Sequence, residues 1–186
     1  QDAADVLTIN DTGEQSVLDV TAAAGDDQIS ITTTGANSVL QVVTGGGADN
    51  LGLTTTGAGS GVALASEADA DSFDIGTTGE NSTLLLNAGS ADDGVTIENT
   101  GVDSAVQVEG EAGMDTLELR RTGTGSATQL NGGTDDDMIS LGDEFGSLDG
   151  LLGPIMIDGQ EPIAGPNPLA DPRSVTAKGV TRPDPA

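Results

Sequence analysis

Asp27, Asp49, Asp71, Asp93, Asp115 and Asp137 stand 22 residues apart without a slip, and Asp5 continues the row toward the N-terminus. Carboxylates on such a beat have three chemistries open to them. They can hold a hard cation through oxygen, accept hydrogen bonds from turn N–H groups, or share protons with one another. Other reactive side chains are scarce. The chain has no His, Cys, Trp or Tyr, and it sets 5 Lys and Arg against 31 Asp and Glu, for a net charge of −26. Thiolate metal sites and cysteine or histidine catalysis are therefore excluded. The negative field argues against nucleic acid and anionic membrane as partners, and no apolar run reaches the roughly 18 residues of a membrane-spanning helix. Arg120 and Arg121 are the only basic residues before position 154. An enzyme acting on acidic polysaccharide would have to use that pair. No carboxylate is singled out as its acid or base, so the expectation is no enzyme, with the arginines balancing surface charge.

The elements that position the aspartates follow from the same period. Thr-Gly recurs at Thr12, Thr34, Thr56, Thr78, Thr100 and Thr122, and serine at Ser16, Ser38, Ser60, Ser82, Ser104 and Ser126, each again 22 residues apart. Apolar residues fall two and four places after each aspartate (Ile29 and Ile31, Phe73 and Ile75) and again after each serine (Leu40 and Val42, Leu84 and Leu86). Period-two alternation over about five residues marks a half-buried strand. Two strands and two turns per repeat describe one coil of an all-β parallel β-solenoid, in which each coil buries its apolar face only against the next. The expectation is about seven 22-residue coils over residues 1–153, with the register breaking near Glu144 to Gly146. Glycine at the Thr-Gly corner is expected to supply positive φ, and the serine to bond the turn backbone. At the other corner the residue three before each aspartate is small (Ala24, Gly46, Ala68, Ser90, Ala112, Thr134), which predicts a narrow inward corner.

Stacked coils lie about 4.8 Å apart. A ladder of ionised aspartates at that spacing costs about 1 kcal/mol per neighbouring pair even in water, so something must offset it. The stretches Gly132-Gly133-Thr134-Asp135-Asp136-Asp137-Met138-Ile139-Ser140 and Gly110-Glu111-Ala112-Gly113-Met114-Asp115-Thr116-Leu117-Glu118 resemble the calcium-binding nonapeptide of RTX proteins. The segments ending at Asp27, Asp49, Asp71 and Asp93 keep the aspartate and the apolar residue two places on. The resemblance implies a secreted β-roll with Ca²⁺ held at Asp27, Asp49, Asp71, Asp93, Asp115 and Asp137. Here one corner of each coil carries the motif, where RTX coils carry it at both, and Ser66 to Asp71 has no glycine.

All seven prolines lie from Pro154 to Pro185, and residues 154–186 hold three of the five basic residues, Arg173, Lys178 and Arg182. This Pro-rich tail is expected to dock on the acidic solenoid, its own or a neighbour's, with Ile155, Met156 and Ile157 covering the last coil. The first strand starts with no capping segment before it, and an uncapped solenoid end invites head-to-tail stacking. The functional expectation is a structural subunit of an extracellular filament or surface assembly. The alternative is a monomeric, secreted calcium-binding module. An ice-binding threonine face fits less well, because the runs at Thr32 to Thr34 and Thr54 to Thr56 thin out in later coils.

Overall fold

The structure, a computed structural model, describes residues 3–159 and 176–177. Each repeat lays down two strands. β1 (Val6–Asp11), β3 (Gln28–Thr33), β5 (Asn50–Thr55), β7 (Ser72–Thr77), β9 (Gly94–Asn99), β11 (Thr116–Leu119) and β13 (Met138–Leu141) stack in that order in one sheet. β2 (Val17–Thr21), β4 (Val39–Val43), β6 (Gly61–Ala65), β8 (Thr83–Asn87), β10 (Ala105–Glu109), β12 (Ala127–Asn131) and β14 (Ile155–Asp158) stack in the other. We call these sheets A and B. All pairings are parallel and in register, Leu51 beside Phe73 and Leu84 beside Val106, so every residue sits on its own equivalent one coil away. The chain is an all-β parallel solenoid. Among the described residues no helix is long and apolar enough to cross a membrane.

The alternation of the sequence becomes the alternation of faces. In β7, Phe73 and Ile75 point in and Ser72 and Asp74 point out. Inward residues of both sheets meet in one continuous core of Leu, Ile, Val and a single Phe. No aromatic platform is needed, because a two-sheet interior this narrow is filled by one branched aliphatic from each side.

Six coils are regular. The seventh is expanded: Thr128 pairs with Ile155, 27 residues on instead of 22, because residues 142–154 make a longer corner between β13 and β14. Asp143 organises that corner, its Oδ1 accepting the N–H groups of Phe145 and Ser147 at 3.0 and 2.9 Å. Ile155 to Ile157 then complete sheet B as β14. β15 (Thr176–Ala177) pairs parallel with β13 of the same chain, Ser140 beside Thr176. The remainder of the tail, including Arg173, Lys178 and Arg182, lies outside the described residues.

Two local expectations need correction. At the Thr-Gly corner, Gly13 has positive φ but Gly35, Gly57, Gly79, Gly101 and Gly123 do not. Their constraint is contact: a Cβ on Gly79 would sit 2.5 Å from the Gly57 carbonyl oxygen of the preceding coil. The left-handed residues lie two places later, at Gln15, Asn37, Gly59, Asn81, Asp103 and Gly125. At the aspartate corner, Ala24, Ala68 and Ser90 are exposed and carry single parallel bridges. The small residues that face inward are two places earlier, at Thr44, Ser66, Ala88, Gly110 and Gly132.

Candidate functional site: the aspartate ladder

The two corners treat their polar side chains differently. At the Thr-Gly corner everything closes. The Thr78 hydroxyl accepts the Gly101 N–H at 2.8 Å and donates to the Ser104 hydroxyl at 3.3 Å, which in turn donates to the Gly101 carbonyl at 2.8 Å. The same chain of donors repeats at Thr56 and Thr100, so the buried hydroxyls cost little.

The aspartate corner closes only half. Each ladder carboxylate reaches back one coil and caps the N–H of the aspartate before it. Asp27, Asp49, Asp71, Asp93, Asp115 and Asp137 accept through Oδ1 from the N–H groups of Asp5, Asp27, Asp49, Asp71, Asp93 and Asp115 at 2.6 to 3.0 Å. The structure thus brings all six predicted residues into one column. Asp27, Asp49, Asp71, Asp93 and Asp115 are buried, at most 4% exposed, while Asp137 is half-buried at the last coil. The other oxygen of each of the five buried carboxylates, Oδ2, is enclosed and takes no hydrogen bond from the described residues. At the later coils Oδ2 lies over a glycine: a Cβ on Gly110 would meet Asp115 Oδ2 at 2.2 Å, and one on Gly132 would meet Asp137 Oδ2 at 2.3 Å.

A charge so placed has lost water and gained one N–H donor. Burial accordingly pushes Asp93 up to about 7, against the opposing pull of the Asp71 N–H, with the charges of Asp115, Asp71 and Asp92 raising it further. Asp115 rises to about 6 for the same reason, with Asp137, Asp92 and Asp135 as its charged neighbours. Burial also raises Asp71, and the Asp49 N–H pulls it partly back. Asp137 is raised by burial and by Asp135 and Asp136.

Calcium takes six to eight oxygens at 2.3–2.6 Å. Each ladder carboxylate commits one oxygen to a backbone N–H, and among the described residues no three acidic groups are grouped to hold a metal ion. The described geometry shows the second chemistry, backbone capping through Oδ1, and leaves each buried Oδ2 without a partner. The arginine pair, for its part, sits away from the ladder. Arg120 is ion-paired with Glu98 and with Glu118, the latter at 3.2 Å, on the outer side of sheet A. Those two glutamates hold its guanidinium above the ordinary arginine value.

The inward small position five before each aspartate was readable as a column (Ala22, Thr44, Ser66, Ala88, Gly110, Gly132). Its role was not, because only the folded corner shows which small residue faces the carboxylate. Compared with known protein families, with curated proteins and with solved structures, the chain matches none. The likeness to RTX repeats rests on the nonapeptide-like stretches and the coil architecture.

Proposed function

We propose that the protein is structural: a stiff acidic rod that stacks end to end into an extracellular filament or surface assembly, without catalytic activity. The observation that supports this reading is the in-register stack itself, in which each described coil offers the next the same parallel register. Leu7, Ile9, Leu18 and Val20 occupy the core columns yet are only partly buried, like Leu141, Ile155 and Ile157 of the last coil, whereas their equivalents in the second to sixth coils are buried. Among the described residues nothing pairs with the outer edges of β1 and β2. An edge in that register accepts a further parallel coil, whichever chain supplies it. The far end is apolar as well, with Phe145 85% and Leu152 62% exposed on the expanded corner. A chain of 31 acids and 5 bases suits saline surroundings such as those outside the cell.

Rods of charge −26 repel, so stacking should need screening. Negative-stain electron microscopy of the full chain in low and high salt is the test. Long uniform fibres whose number rises with salt, and which shorten in Phe145→Ser, are expected. Isolated rods of one solenoid length at every salt concentration would refute the assembly and leave a monomeric module.

A further inference from the structure

The outer face of sheet B is unlike the rest of this surface. Its central outward column runs Asp19, Gln41, Ala63, Leu85, Gln107, Gln129, in register through six strands, with Met156 continuing it on β14. The column beside it, from Val17 and Val39 to Ala105 and Ala127, has no charge at all. Asp19 is thus the single charged residue of the two columns, in a chain of net charge −26. Sheet A's outer side carries Asp74, Glu98, Glu118 and Arg120. At the rim of sheet B the Glu109 carboxylate is occupied on the surface, accepting from Gln107 Nε2 at 2.8 Å and from Asn131 Nδ2 at 2.6 Å.

The face also has relief. A shallow apolar groove runs from Leu85 across Gln107 and Gln129 to Pro154 and Met156. At the opposite end of the same face two valines stand out, Val17 74% and Val39 50% exposed. Leu85 lies between the two ends, on β8, the fourth of the seven strands.

We propose that sheet B is a lateral pairing face for a second copy of this chain, the two solenoids lying antiparallel about a twofold axis through β8. The occupant is set by charge and shape. Two chains of the same strong charge can approach closely only where charge is sparse, and this face carries Asp19 alone in its two columns, with Glu109 and Asp158 at its rim. An isologous contact requires each half of a surface to complement the other half. In the antiparallel arrangement β2 and β4 of one copy lie over β14 and β12 of the other, so the Val17 and Val39 projections meet the groove. Asp19 then faces Met156 in place of a second Asp19, which excludes the parallel alternative. Seven strands at about 4.8 Å and a width of five residues give roughly 500 Å² per copy, or about 1,000 Å² in all. That is at the lower limit for a specific complex, so the association is expected to be weak and concentration-dependent. It is independent of end-to-end stacking, which uses the backbone edges of β1 and β2, whereas pairing uses the outward side chains of sheet B.

The chain contains no cysteine, which makes the test direct. Leu85→Cys sits at the twofold axis and should cross-link to itself under mild oxidation. Asp74→Cys, its equivalent at the centre of sheet A, should not. Light scattering on the full chain should show the mass rising from 18.3 kDa toward twice that value with concentration. Leu85→Glu and, separately, Ala105→Glu should restore the monomer with unchanged circular dichroism. Phe145→Ser should leave lateral pairs intact, whereas loss of end stacking alone should leave Leu85→Cys cross-linking unaffected. A monomer at all concentrations with no Leu85→Cys excess over Asp74→Cys would overturn the proposal. So would a monomer whose Leu85→Cys thiol is shielded from maleimide, since the chain's own tail would then be the cover.

Discussion

Five enclosed Oδ2 atoms without a hydrogen-bond donor make the aspartate ladder a costly polar feature among the described residues. Protonation removes that cost, and the sign follows. Asp93 and Asp115 titrate at about 7 and about 6 in the fold against 3.8 as free side chains. Between those values the folded state binds more protons than the unfolded chain, so stability is fully present below about pH 4 and lost as pH rises through 6 to 7. Urea denaturation from pH 4.5 to 8.5 should show falling stability with a plateau above pH 8. A profile that is flat or rises would contradict the ladder as described. Asp93→Asn keeps an oxygen for the Asp71 N–H and removes the charge. It should stabilise the protein at pH 8, on the order of 2 kcal/mol, and do little at pH 4.5.

The coil is the next scale, and its two corners set different limits on sequence. At the aspartate corner the residue two before each aspartate has positive φ in every coil: Gly25, Gly47, Asp69, Ala91, Gly113 and Asp135. Ala91, at φ 118°, is the alanine among them and carries strain that glycine would relieve. Ala91→Gly is expected to raise the melting temperature, by about 0.5–1 kcal/mol of stability, against the usual direction for a glycine. At the Thr-Gly corner the limit is the neighbouring coil. Gly79→Ala would drive a methyl into the Gly57 carbonyl and should cost roughly 1–3 kcal/mol, although φ at Gly79 is ordinary. Thermal melts of the two variants, moving in opposite directions, would separate strain from contact as the reason each glycine column exists.

Taken whole, the rod is a one-dimensional stack whose coils each contact only their neighbours, so its ends and its outer faces carry whatever it binds. Its ladder is capped from within by backbone N–H groups, and burial raises the carboxyls toward their protonated form. Transfer from calcium to a chelator at constant ionic strength should therefore leave the melting temperature unchanged. A drop of several degrees would show that the column holds metal after all. Raising the salt, by contrast, should stabilise the rod and favour association, since the outer carboxylates repel along its whole length.

The sequence alone determined the period, the strands and the parallel stack, because side chains two places apart in a strand share a face whatever surrounds them. It also placed Asp27 to Asp137 in one column, since a fixed 22-residue coil puts equivalent residues in register. What the tertiary structure decided was direction and distance across coils. Whether an aspartate reaches outward to a cation or back to the preceding N–H depends on how far the corner brings two backbones together. Gly35 to Gly123 are required by that same approach, which no property of a single coil encodes. Likewise the 27-residue seventh turn follows from Ile155 continuing a hydrogen-bonded sheet after the local register is lost. Spacing is a local property of the chain, but contact between coils exists only once they stack.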